Sequence, residues 1–277
     1  MEKSTTERQQ PWLLHALSIS TLNFCSFAGF EENPQAGLPE DQIGRASFII
    51  AVPGSDDSEI EMYQLPSEKQ VALIPAPVQS SGRAGMVMAL GLLRKMDSNA
   101  MHVAAGYENG RACLYRQNRE AAKWEQIYSA QPHGQPVLSL DIAPSLGAFF
   151  TSGADAIVAK HPLFAADGTL KEVQTKHSGQ QDVHVRSDGK ILATAGWDSK
   201  VRVYSAKMLK ELAVLMWHKE GCYAIAFAHV NGTAAENTNN AVDTFRTVAQ
   251  MREARVQGTH LLAAGSKDGK ISLWDIY

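Results

Sequence analysis

One pattern recurs five times along this 277-residue chain: a small residue, a glycine, a short polar turn, and a β-prone run ending near an aromatic. The copies are Val52-Pro-Gly-Ser-Asp-Asp-Ser-Glu-Ile-Glu-Met-Tyr63, Ala105-Gly-Tyr-Glu-Asn-Gly-Arg-Ala-Cys-Leu-Tyr115, Ser152-Gly-Ala-Asp-Ala-Ile-Val-Ala-Lys-His161, Ala195-Gly-Trp-Asp-Ser-Lys-Val-Arg-Val-Tyr204 and Ala264-Gly-Ser-Lys-Asp-Gly-Lys-Ile-Ser-Leu-Trp-Asp275. Their glycines, Gly54, Gly106, Gly153, Gly196 and Gly265, are 52, 47, 43 and 69 residues apart, the last interval stretched by an insertion. A unit of this size cannot bury its apolar faces alone and must stack on the next copy.

Within each unit the periodicity is that of strands. Each glycine sits between two apolar runs, which marks a hairpin. A further strand precedes each hairpin, beginning near Leu22, Met86, Val137, Asp182 and Cys222. A fourth follows most of them, as in Gln70-Val-Ala-Leu-Ile74 and Glu211-Leu-Ala-Val-Leu215. Four antiparallel strands per unit predict an all-β propeller with five recognisable blades.

Composition excludes several alternatives. The formal charge of −3 and the absence of a long basic run speak against a dedicated nucleic-acid binder. No apolar stretch is long enough to span a bilayer, and residues 1–10 are polar, expected to be disordered and unlike a signal peptide. Cys25, Cys113 and Cys222 follow no metal-ligand spacing and sit in strand-like runs, which predicts buried, reduced thiols. These features predict a soluble, intracellular chain. No phosphate-binding loop, nucleophile elbow or His-Glu-x-x-His motif occurs, and Asp188-Gly-Lys190 and Asp268-Gly-Lys270 are expected hairpin turns. The expectation is a non-enzyme, with no catalytic, cofactor-binding or metal residue.

The ending Leu261-Leu-Ala-Ala-Gly-Ser-Lys-Asp-Gly-Lys-Ile-Ser-Leu-Trp-Asp275 resembles the blade signature of the WD-repeat family. So does the placing of His133 and His218 nine residues before Ile142 and Phe227, with His177 set less regularly. The resemblance covers most of residues 12–277. It implies hydrogen-bonded structural networks: His133 with Asp155 and Ser152, His177 with Asp198, and His218 with Asp268 and Trp274. Ala195 and Ala264 stand where the hydroxyl is expected, so the last two networks should be incomplete. Tyr204 and Trp274 are expected core aromatics.

A propeller domain is expected over residues 11–277, with loop insertions at 31–45 and 229–258; the second contains a candidate amphipathic helix at 242–256. Most family rings have seven blades, and five are visible here. Pro11-Trp-Leu-Leu-His-Ala-Leu-Ser18 either closes a five-bladed ring or is the outer strand of a preceding blade, with about two N-terminal blades missing; we favour the second, part of a seven-bladed ring. Pro11 to Phe27 and Ala264 to Tyr277 together resemble the fungal ASTRA-associated branch of the WD-repeat family, related to animal G-protein beta-subunit-like proteins. That resemblance implies a nuclear interaction scaffold whose partners are ASTRA components and kinase-maturation factors, acting in chromatin remodelling and maturation of phosphatidylinositol-3-kinase-related kinases. Neither nucleic acid, membrane nor small-molecule substrate is expected as a partner. The alternative is a signalling adaptor like a G-protein beta subunit.

Three residues are candidate partner contacts. Trp197 follows Gly196 in a hairpin turn, where it either anchors a partner or packs over a neighbouring blade. Tyr107 holds the matching place after Gly106. Lys200, with Arg202, Lys207 and Lys210, gives the fourth repeat a positive bias suited to an acidic segment or simply to solvent.

Overall fold

The computed structural model describes residues 13, 15–19, 24–32, 47–78, 82–95, 99–118, 120–121, 123–164, 169–229 and 260–276. The expectations for residues 1–10, for most of the 31–45 and 229–258 insertions and for a helix at 242–256 lie outside them.

The described strands form five antiparallel sheets in chain order, each a simple meander. The first holds β1 (Ala28–Glu31), β2 (Phe48–Pro53), β3 (Ile60–Leu65) and β4 (Lys69–Ile74). The second holds β5 (Val87–Arg94), β6 (Met101–Tyr107), β7 (Ala112–Asn118) and β8 (Lys123–Ala130). β9 (Val137–Ala143), β10 (Ala148–Gly153), β11 (Ile157–Pro162) and β12 (Lys171–Gln174) make the third. β13 (Gln180–Val185), β14 (Ile191–Gly196), β15 (Lys200–Ser205) and β16 (Glu211–Met216) make the fourth. The fifth has three described strands, β17 (Cys222–Phe227), β18 (Leu261–Ser266) and β19 (Ile271–Asp275). The leading strands β1, β5, β9, β13 and β17 lie next to one another in that order, so the sheets are the successive blades of a propeller.

Two expectations about the N-terminal region change. The first strand begins at Ala28 rather than near Leu22, because its partners on β2 run from Ala51, opposite Ala28, to Phe48, opposite Glu31. The described part of Pro11 to Ser18 forms no strand; His15 Nδ1 lies 2.8 Å from Glu68 Oε1, at the β3–β4 turn of the first blade.

Strand alternation supplies the cores between blades. On β6, Val103, Ala105 and Tyr107 enter the core shared with the first blade, while Ala104 enters the core shared with the third. On β10, Phe149 faces the second blade and Phe150 the fourth. On β14, Leu192 faces the third blade, and Ala193 and Ala195 the fifth. A strand buried on both faces needs an unbroken apolar run, which is why these middle strands lack polar alternation. On β19, Ile271 and Leu273 are exposed, whereas Val201 and Val203 at the matching places on β15 are buried against the fifth blade. All three cysteines are buried, no disulfide joins them, and burial pushes the Cys25 and Cys222 thiols up to about 12 and about 11.

Candidate interaction face and its hydrogen-bond networks

In the third, fourth and fifth blades the turn between the second and third strands is held by a carboxylate. Asp155, Asp198 and Asp268 occupy equivalent places, because Thr151 pairs with Ala159, Thr194 with Arg202, and Ala264 with Ser272 in the same register. This register also moves the expected hydroxyl. It belongs at Thr151, Thr194 and Ala264, since Gly265 sits one position earlier in its hairpin than Gly153 and Gly196 do in theirs.

In the third blade His133 Nδ1 is 3.0 Å from Asp155 Oδ1, and His133 Nε2 is 2.8 Å from Thr151 Oγ1. Thr151 also meets His161 Nε2 at 2.9 Å, and His161 Nδ1 meets the Tyr128 hydroxyl at 3.1 Å. Donors and acceptors match in one direction. Tyr128 donates to His161, His161 to Thr151, Thr151 to His133, and the His133 Nδ1–H to the Asp155 carboxylate. His161 occupies the place of Trp274 and stacks on Phe149 with ring centroids 4.5 Å apart. Burial and the neighbouring His133 push His161 down to about 3, so its ring is neutral at pH 7. Burial pulls the Asp155 carboxyl upward, but the His133 ring N–H and the backbone N–H groups of Ile157 and Gly134 outweigh it and hold the carboxyl below its usual range. Ser152 is not part of this network: strand alternation turns it to the opposite face of β10, where its buried Oγ makes no hydrogen bond among the described residues. The glycine of this repeat is required by the network, since a Cβ on Gly153 would lie 2.9 Å from His133 Nδ1.

The fourth blade is built differently from expectation. His177 is half-exposed and only 3.9 Å from Asp198. Asp198 is instead clamped by Arg202, whose Nη2 and Nη1 lie 2.7 and 3.0 Å from its two oxygens. Arg202 is buried, so it does not add to a surface positive patch. A guanidinium reaches from β15 to the turn with a bidentate geometry that an imidazole on the preceding loop does not match here. The expected hydroxyl gap at Ala195 is also absent, because Thr194 holds that place and donates to Gln180 Oε1 at 2.9 Å.

The fifth blade completes its network from another strand. His218 Nδ1 is 3.2 Å from Asp268 Oδ2, and His218 Nε2 is 2.9 Å from Ser272 Oγ, which also accepts from Trp274 Nε1 at 2.8 Å. Ser272, on β19, supplies what Ala264 lacks. Replacing Ser272 by Ala strands the buried His218 nitrogen and frees a half-buried indole N–H. The expected loss is about 2 kcal/mol by urea unfolding, most of it restored by Ser272→Thr.

The candidate partner residues separate on burial. Tyr107 is fully buried, its hydroxyl 2.8 Å from that of Tyr115, and is not a surface contact. Its place on β6 is in phase with Val103 and Ala105, so it points into the core between the first two blades. Trp197 is 43% exposed, its indole N–H donating to Gln181 Oε1 at 2.9 Å and its ring seated over Gly179. Lys200 is partly exposed, 3.8 Å from Asp198. Sequence reasoning missed Trp217, which is 54% exposed and lies just before His218. An aromatic next to a repeat histidine was the available signal.

Stacked four-stranded meanders whose turns are held by His–Asp–hydroxyl networks define a WD-repeat β-propeller. Residues 166–205 and 255–275 match the model of the WD domain, G-beta repeat. The chain belongs to the family of ASTRA-associated protein 1. It is 43% identical over 319 residues to ASTRA-associated protein 1 of Aspergillus flavus, covering 100% of this chain and 74% of that protein. For ASTRA-associated protein 1 of Schizosaccharomyces pombe the identity is 36%, over 99% of this chain and 70% of the relative. The mouse guanine nucleotide-binding protein subunit beta-like protein 1 is more distant, 30% identical over 84% of this chain and 62% of its own length. Among solved structures, the computationally designed Ika8 protein shares the fold with a TM-score of 0.56 at 12% identity, over 83% of this chain and 55% of that one.

Proposed function

We propose that this chain is a non-enzymatic scaffold subunit of the ASTRA assembly, acting in the nucleus in chromatin remodelling and in maturation of phosphatidylinositol-3-kinase-related kinases. The observation that carries this reading is identity of about two residues in five with ASTRA-associated protein 1 along the whole chain. The chemistry of the face supports it. The buried histidines His133, His161 and His218 are committed to structural bonds. Among the described residues no group of three or more His, Cys, Asp or Glu is placed to hold a metal, and no helix is long and apolar enough to cross a membrane. Exposed aromatic and cationic side chains remain available, and these suit protein partners.

The test is affinity purification of the tagged chain from its own cells, followed by mass spectrometry and imaging of the tag. The expected result is recovery of ASTRA subunits with kinase-maturation factors, and a nuclear signal. Recovery of a G-protein-type signalling partner instead would favour the adaptor reading that the mouse relative suggests. Recovery of neither set overturns both.

A further inference from the structure

We infer that the loop face joining the fourth and fifth blades is a docking surface for an acidic peptide segment carrying large apolar side chains. Three loops meet there: the β14–β15 turn with Trp197, the β16–β17 connection with Trp217 and Lys219, and the β18–β19 turn with Lys267 and Lys270. They form one surface. The Trp197 carbonyl and the Tyr223 ring both abut Gly221, at 3.1 and 3.0 Å from the position of a Cβ there. Lys267 N–H donates to Gly221 O at 3.0 Å, and Lys270 Nζ lies 5.6 Å from the Trp217 ring centroid. Lys270 also borders a shallow hollow lined by Tyr223, Ala224, Gly265, Lys267 and Ile271.

Charge selects the partner. Lys219, Lys267 and Lys270 are exposed, and Lys200 is partly so. Of the carboxylates in these loops, Asp198 is held by Arg202, and Asp268 by His218 and the N–H groups of Lys219 and Lys270. Glu220 is the remaining exposed anion, so cations outnumber free carboxylates. Trp197, Trp217 and Tyr223 are 43, 54 and 47% exposed among these lysines, a mixture that favours an acidic segment with aromatic or aliphatic anchors. Single-stranded nucleic acid fits less well. Gly179 covers one face of the Trp197 ring and Lys270 lies over one face of the Trp217 ring, which limits base stacking, and Glu220 repels a phosphate chain.

The surface deepens the scaffold reading and rests on it. Its test is fluorescence anisotropy of the full chain with a labelled synthetic peptide alternating Asp or Glu with Phe and Leu. Binding is expected to weaken about tenfold or more in K267E/K270E and in W217A, and to fall with added salt. The control K123E/K171E, with the same charge change on other blades, should bind like wild type, and thermal unfolding checks that each variant is folded. Equal binding by K267E/K270E, equal weakening by the control, equal binding of an acidic peptide without Phe or Leu, or displacement by an oligothymidylate at matched concentration would each overturn the proposal. In cells, wild-type recovery of ASTRA subunits that survives K267E/K270E overturns this surface alone; failure of the wild type to recover them overturns the scaffold reading.

Discussion

Replacing Thr151 by Val is expected to destabilise the protein by about 3–4 kcal/mol in urea unfolding, with little change in shape at the site. The reason lies in the directed chain of bonds from Tyr128 to Asp155. Thr151 is fully buried and stands between His133 Nε2 and His161 Nε2, at 2.8 and 2.9 Å. Removing one hydroxyl leaves two buried ring nitrogens without partners, and each costs about 1–3 kcal/mol. Thr151→Ser keeps the hydroxyl and should lose about 1 kcal/mol for the methyl group. Adding His161→Phe to the valine variant removes one stranded nitrogen, so the pair should cost less than the sum of the singles. Strict additivity in that cycle would show that the chain of bonds is not coupled.

The same network gives a pH dependence whose sign follows from linkage. His161 is held down at about 3 in the folded protein, while an unfolded imidazole titrates at about 6.5. Between those values the unfolded chain takes up a proton that the folded ring refuses, so stability falls as pH drops, by about 1.4 kcal/mol per pH unit. The depressed Asp155 carboxyl acts in the same sense at lower pH: its contribution is complete above the ordinary carboxylate range and disappears as pH falls through its folded value. The difference between wild type and His161→Phe across pH 6 to 4.5 isolates the histidine. Equal slopes would refute the assignment.

Asp198→Ala should be more damaging than removing both members of its ion pair. Arg202 is only 4% exposed, and its other carboxylate neighbour, Glu211, is 4.0 Å away. Loss of Asp198 leaves a guanidinium buried without its bidentate partner, at a cost of about 3–5 kcal/mol. Asp198→Ala with Arg202→Leu takes the charge away with its counter-ion and places an apolar side chain between β14 and β16, so much of that loss should return. A double variant as unstable as Asp198→Ala alone would show that the packing of the arginine stem, not its charge, holds the turn. The result matters for the proposed docking surface, because the same turn carries Trp197.

The repeat glycines, the strand alternation and the turn aspartates made the blade succession legible before any coordinates, since all three are local features. The pairings His133–Asp155 and His218–Asp268 were legible as resemblance, as both members lie at fixed offsets within a repeat. The hydroxyl position was not. Counting from the glycine selects Ser152, Ala195 and Ala264, but the glycine does not hold the same register position in every hairpin, and only the strand register shows that Thr151 and Thr194 hold the place while Ser272 serves from the adjacent strand. Tyr107 and Trp197 follow equivalent-looking glycines, yet one ends inside a core and the other on the surface. The register separates them: Tyr107 is still paired, opposite Val87 on β5, whereas Gly196 holds that place opposite Gln180 on β13 and Trp197 lies one residue further into the turn.

What the sequence by itself determined is therefore the unit: a four-stranded meander, its turn chemistry, and its need for a neighbour to cover its apolar faces. What only the tertiary structure decided is the use made of each polar side chain. Whether a histidine or an arginine satisfies a turn depends on where the folded loops and strands bring each side chain: Arg202 meets Asp198 at 2.7 Å while His177 stops at 3.9 Å. Burial then sets whether the same residue is a structural bond or an exposed contact, because a polar group removed from water must find its partner within the fold.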